Sequence, residues 1–200
     1  MRRREVRDLV IAWLVLSLSL SMGSLLGLLS GSFLGVLVAF SIALIAVGTH
    51  FVFHEMAHKL VAQRFGYWAE FRLWPMGLFL ALAMALISSG RFIFAAPGAV
   101  YIIPPFWRFE DSKKENGAIG LVGPLVNIAL SIIFFLLALA QLGPVVDIIA
   151  VYGYSVGLML ASFNLIPIPP LDGYNVFRWK PLVWALVALP TWGFMFLSGA

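Results

Sequence analysis

The sequence predicts an all-α polytopic membrane protein of five to six transmembrane helices, with a short membrane-associated hairpin or strand segment. Three observations carry this prediction. Of 200 residues, 62% are hydrophobic and only 11% charged, with a mean hydropathy of +1.00. Soluble domains run roughly 45–50% apolar and about 25% charged, and a soluble chain of this size cannot enclose so much apolar surface in one core. Apolar runs of about 20 residues, the length that crosses a hydrocarbon layer of about 30 Å, recur along the chain. Finally, Arg2, Arg3, Arg4 and Arg7 stand ahead of the first run. A soluble globular domain, a disordered region and a disulfide-rich secreted module are excluded. With no Cys, disulfides and thiolate metal sites are excluded as well.

The first run, Leu9 to Leu29, is longer than the roughly 7–15 apolar residues of a signal peptide, and further spans follow it. It reads as a transmembrane helix with a cytoplasmic N-terminus. The arginine cluster is its anchor rather than a nucleic-acid patch. Gly23, Gly27, Gly31 and Gly35 follow a small-xxx-small spacing that favours close helix packing. A second run from Phe33 continues without a breaker through His54-Glu55-Met56-Ala57-His58 to Lys59, Gln63 and Arg64, with Gly66 as its stop. This helix returns to the cytoplasmic side, so the histidines lie in its cytoplasmic third. Tyr67 to Trp74 alternates like a short interfacial strand. Met76 to Ile87 and Phe92 to Ile103 flank a Ser88-Ser89-Gly90 break, and each is short for a span. They fit a helical hairpin, or a helix plus a strand dipping into the membrane. Pro104 to Asn116 is a polar loop, with Trp107, Arg108, Glu110 and Asp111 in its centre. Further spans are expected over Gly117–Leu142, Val145–Ile166 and Pro181–Ser198. The whole, residues 1–200, reads as one domain with its core at about 33–177.

The chemistry centres on His54-Glu55-x-x-His58. On a helix, residues i and i+4 share a face about 6 Å apart, so both imidazoles can reach one zinc ion at roughly 2.0–2.1 Å. Glu55 projects beside them, placed to take a proton from water. A packing pair of histidines is the bland alternative, but titratable groups at membrane depth are costly and rarely lack a role. His50 lies one turn along the same face. It could be an extra ligand, a partner of a ligand or a pore-side histidine, and the spacing favours a role other than ligand.

A catalytic zinc on two histidines needs one more protein ligand. Among nine acids, Glu5, Asp8, Glu110, Asp111 and Glu115 fall in charged tails or loops, Glu70 in the interfacial strand, and Asp147 at the far side. Asp172 stands alone at the cytoplasmic end of an apolar span. Asp-Gly is also a turn signal, but beside the histidines Asp172 is the candidate third ligand. Pro167, Pro169 and Pro170 end the preceding helix so that Asp172 can turn toward the metal. Asn127, in the first turns of its helix, could donate to an oxyanion or substrate carbonyl, or bond a neighbouring helix.

Three islands, His54–His58, Gly123-Pro124-Leu125-Val126-Asn127 and Asn164 to Gly173, resemble the site-2 protease family of intramembrane zinc metalloproteases, in the family's order. The resemblance implies Asp172 as the third ligand of one zinc per chain and a site opening to the cytoplasm. It also implies hydrolysis of peptide bonds within transmembrane segments of other membrane proteins, with Glu55 as general base. Two departures stand out. Ala57 replaces the glycine often found before the second histidine, and the 76–103 stretch exceeds the brief hairpin expected there. No segment is long enough for the PDZ domain or CBS pair of many relatives. An exposed edge within 91–103 could pair with an unwound substrate by strand addition. Two other classes remain. A metal transporter would have no use for Glu55 as a base, and an inactive scaffold could dispense with it.

Overall fold

The computed structural model describes residues 1–26, 33–89, 96–106 and 112–198. Helix α1 runs over Arg3–Leu26, α2 over Phe33–Val47, and α3 over Phe53–Arg64. A single wide π-helical turn, Gly48–Val52, joins α2 to α3, so the second apolar run is one continuous helical rod. Strand β1 (Trp68–Leu73), helix α4 (Pro75–Ile87) and strand β2 (Gly98–Ile103) follow. Then come α5 (Lys113–Leu139), α6 (Pro144–Asn164), the short α7 (Asp172–Trp179) and α8 (Pro181–Ser198). The architecture is mostly helical. Among the described residues, four helical segments are long and apolar enough to cross a membrane, and α4 and α8 are shorter apolar helices. Of the alternatives for residues 67–103, the helix with strands is present: β1 and β2 pair antiparallel, with Trp68 opposite Ile103 and Leu73 opposite Gly98.

Local chemistry explains these elements. In α1 the polar residues of an otherwise apolar helix satisfy themselves. Ser17 and Ser19 donate to the carbonyls of Trp13 and Val15 at 2.8 and 2.9 Å, as hydroxyls do in helices. Trp13 instead reaches across to donate its indole N–H to the Leu44 carbonyl at 2.9 Å. Gly48 makes room for it, since a Cβ there would lie 2.9 Å from the Trp13 ring. Of the four spaced glycines, Gly23 faces the Ser89 carbonyl after α4, and Gly35 faces open space; Gly27 and Gly31 lie outside the described residues. Pro75 opens α4 in the first helical position, where its missing N–H is harmless. Helix α5 starts at Lys113, four residues before the expected Gly117, because the Ser112 hydroxyl accepts from the Glu115 N–H as an N-cap.

The buried core joins Leu9, Ala12 and Leu16 of α1 to Val47 and Phe51 of the long rod, Phe71 of β1, and Val156 and Leu160 of α6. Phe51 and Phe71 meet edge to face with ring centroids 5.7 Å apart. Large apolar side chains such as Phe33, Ile132, Leu139 and Phe196 point outward, as they do when the surrounding solvent is lipid.

Glu5 is a correction to the sequence reading, which put it in a charged tail. It is buried. Its carboxylate accepts from Lys59 Nζ at 2.5 Å and from the Phe71 backbone N–H at 3.2 Å. The pair ties the start of α1 to the middle of α3, one residue past His58, and to the middle of β1. Asp8 is buried as well, beside Arg7 at 3.0 Å. Nothing local marks Glu5 as buried, because its partner lies 54 residues away.

This predicts an asymmetric response to substitution. Glu5→Leu, which leaves a buried ammonium unpaired, should lower stability by roughly 3 kcal/mol, whereas the double variant Glu5→Leu/Lys59→Met should recover most of it. Thermal midpoints in detergent check both.

Candidate metal centre

Three elements deliver the centre. Helix α3 presents His54 and His58 on one face, with imidazole centroids 4.5 Å apart. The breaker-rich segment 165–171 turns the chain after α6, and Asp172 opens α7. That turn is tight: a Cβ on Gly173 would collide with the Leu165 carbonyl group. The sequence reading places Asp172 at the end of an apolar span as the candidate third ligand and does not anticipate the helix it begins. Trp184 of α8 donates to the same Leu165 carbonyl at 2.7 Å, fixing the turn from the other side.

Helix α5 supplies the wall. A Cβ on Gly123 would sit 2.6 Å from both His54 Cε1 and His58 Cε1. One on Gly120 would sit 3.0 Å from the Asp172 carbonyl oxygen, and one on Gly117 would run into the Trp179 side chain. Glycines at every third position of α5 thus let α3 and α7 approach it at once. The 117/120/123 spacing in the sequence was the available signal, and only Gly123 had been singled out. Pro124 cannot donate to the Gly120 carbonyl, which loosens the helix at the same level. Just before it, the Ile119 carbonyl lies 2.7 Å from His58 Nδ1. His58 Nδ1 therefore carries a proton and donates, leaving Nε2 bare.

The side-chain atoms that face one another converge. His54 Nε2 and His58 Nε2 lie 2.9 Å apart, and Asp172 Oδ2 lies 3.2 and 3.1 Å from them. Ligands of a tetrahedral zinc at 2.0–2.1 Å are separated by roughly 3.3 Å, so the triangle has the right size. Three lone-pair-bearing atoms cannot all be satisfied by one proton, and a divalent cation satisfies them together. Burial alone would raise the Asp172 carboxyl, but the neighbouring His58 and His54 imidazoles outweigh it and hold the group well below the usual carboxylate range. Among the described residues, His54, His58 and Asp172 form the group able to hold a metal ion. His50 is not part of it.

A cavity of about 430 Å³ opens onto this triangle. Glu55, Asn127, Asn116, Asn175 and residues 98–102 of β2 line it. Glu55 is buried, and its Oε2 has no hydrogen-bond partner; its carboxyl faces the Val100 backbone. Asn127, 1% exposed, places its amide nitrogen 3.1 Å from His54 Nδ1.

If the glycine of α5 sets the distance to the histidines, Gly123→Ala should cut bound zinc at least tenfold, while Gly35→Ala, in open space, should leave it unchanged. Metal analysis of the two purified variants checks this.

Comparison with known proteins agrees with the geometry. No family model and no solved structure matches the chain. The chain is 42% identical over 194 residues to "Putative zinc metalloprotease MJ0611" of Methanocaldococcus jannaschii, covering 96% of this chain and 93% of that protein. It is 29% identical over 142 residues to "Putative zinc metalloprotease YwhC" of Bacillus subtilis, covering 63% of each. With membrane helices, a His-Glu-x-x-His helix and an aspartate completing its metal cluster, the chain belongs to the site-2 protease family of zinc metalloproteases.

Proposed function

We propose that this zinc metalloprotease hydrolyses peptide bonds within transmembrane segments of other membrane proteins. The observation that carries the reading is the depth of the site. His54 lies ten residues, about 15 Å of helix, inside Arg64 at the end of the 32-residue rod. Phe53 and Leu60 of the same helix are exposed apolar side chains.

In this reading His54, His58 and Asp172 hold one zinc ion per chain. When bound there, zinc acidifies water and polarises a carbonyl oxygen. Glu55 does the proton work. It accepts a proton from the attacking water as the new C–O bond forms, then gives it to the amine nitrogen as the C–N bond breaks. A retained carboxylate with an unpartnered oxygen favours this over an inactive scaffold or a metal transporter. For Asn127, the contact with His54 favours bonding a neighbouring helix over contact with an oxyanion.

The site opens to the cytoplasm in this proposal. Contacts of Glu5 with Lys59, Tyr67 with Glu115 and Gly117 with Trp179 gather the start of α1, the end of α3, the start of α5 and α7 at one end of the molecule. Arg2, Arg3, Arg4, Arg64, Lys113, Lys114, Arg178 and Lys180 cluster there, and basic residues mark the cytoplasmic side. Asn116, in the first turn of α5, and Asn175 of α7 line the cavity and give water a polar route from that end in this reading. Helices α4 and α8 complete five to six membrane passages, and residues 1–200 act as one domain with its core at 33–177.

A substrate helix hides its peptide groups in its own hydrogen bonds and must unwind to be cut. Strand β2 pairs with β1 along one edge, and its residues 98–102 line the cavity. An unwound segment can add to its other edge, which brings a peptide carbonyl alongside Glu55.

Reconstituted protein should cut a co-reconstituted single-span protein inside its apolar segment, with the position read by mass spectrometry. Glu55→Gln should retain zinc and lose at least 10²-fold in rate. Cleavage confined to extramembrane loops would contradict the reading.

A further inference from the structure

His50 lies outside the metal cluster, yet it is completely buried. It comes from the π-helical turn between α2 and α3. Its ring centroid lies 5.4 Å from that of Phe134. Gly157 of α6 makes room for it, since a Cβ there would fall 2.7 Å from His50 Nδ1. The polar groups that face it are the Asn127 side chain and the Gly153 carbonyl. Neither ring nitrogen has a hydrogen-bond partner, and neither does Oδ1 of Asn127. Three orphaned polar atoms in one buried cluster call for an explanation.

The explanation lies in the tautomer of His54. Asn127 presents its amide nitrogen to His54 Nδ1 at 3.1 Å. An amide nitrogen only donates, so this contact demands a bare Nδ1 and places the proton of the neutral ring on Nε2. But Nε2 is the atom that faces Asp172 and His58, and a nitrogen that binds a metal carries no proton. With zinc present, the proton must sit on Nδ1 and needs an acceptor. A half-turn of the Asn127 amide exchanges its oxygen and nitrogen without changing its shape. Oδ1 then accepts from His54 Nδ1–H, and Nδ2 points to the other side.

We propose that His50 is a positioning residue for zinc. It accepts from the turned Asn127 amide through one ring nitrogen and donates from the other to the Gly153 carbonyl, so that Asn127 holds His54 in the tautomer with Nε2 free. All three orphaned atoms gain partners in that arrangement. His58 needs no such relay, because the Ile119 carbonyl already accepts from its Nδ1 at 2.7 Å. The relay also gives the π-helical turn a purpose, since such turns are frequent at functional sites. The inference rests on the reading of His54 as a zinc ligand.

The chain has only three histidines, so ¹⁵N-histidine labelling of the full-length protein resolves each ring. In the zinc-loaded wild type, the Asn127 amide protons should couple to a His50 ring nitrogen, and His54 should carry its proton on Nδ1. His50→Phe keeps the ring and removes both nitrogens. It should weaken zinc binding, measured by chelator competition, by about 10-fold or more, and His50→Gln should recover most of the loss. The relay is overturned if the loaded wild type keeps its Asn127 amide protons against His54. It is also overturned if His50→Phe binds zinc like wild type, or if Gln rescues no better than Phe. A wild type whose zinc affinity is unmoved by His54→Ala overturns the ligand reading itself, and the relay with it.

Discussion

Everything in this molecule is arranged around three electron-rich atoms held within 3.2 Å of one another inside an apolar body. Two imidazole nitrogens and a carboxylate oxygen crowd their lone pairs into a largely buried site, where only a cation or a shared proton relieves them. The fold therefore has to hold them by force of packing. Helix α3 fixes two of them by its own periodicity. The third arrives on a separate helix, and its position depends on a glycine-lined stretch of α5 that both helices press against. The His58 ring is oriented by a backbone carbonyl and the His54 ring by an amide, so each ligand leans on a specific partner behind it.

The same constraint explains features that look unrelated to the site. The buried Glu5–Lys59 pair sits immediately after His58 and braces α3 against α1 and β1. The indoles of Trp184 and Trp192 donate to the Leu165 and Ser162 carbonyls at the end of α6, close to where the chain turns toward Asp172. Gly153 and Gly157 bring α6 against Phe134, Ser131 and His50. In lipid, helices gain little from burying apolar surface against each other, so close approach through small residues and indole or hydroxyl bonds has to do the fixing.

Much of this was legible in the sequence, and the limits have physical causes. The spans followed from apolar runs, and the observed bounds of α5, Lys113–Leu139, and α6, Pro144–Asn164, fall within a few residues of expectation. The His54–His58 pair followed from helical periodicity, and Asp172 followed from a shortage of acids at the right membrane face. What stayed hidden depends on contacts between distant residues. Glu5 resembled any charge in a basic tail, because nothing local reveals its bond to Lys59. The α7 helix was obscured because Asp-Gly after several prolines is equally a turn. The partners behind the ligands, the Ile119 carbonyl and the Asn127 amide, are set by the register of α5 against α3. Gly120, by contrast, could have been read from its spacing with Gly117 and Gly123.

Zinc K-edge X-ray absorption on the purified protein tests the central claim most directly. Two imidazole nitrogens and a carboxylate oxygen from the chain, with one further light atom, all at about 2.0–2.1 Å, are what the triangle of His54, His58 and Asp172 requires. That spectrum should lose its protein oxygen, with much zinc lost, in Asp172→Ala. Three imidazoles around the metal, or a spectrum indifferent to Asp172, would contradict it.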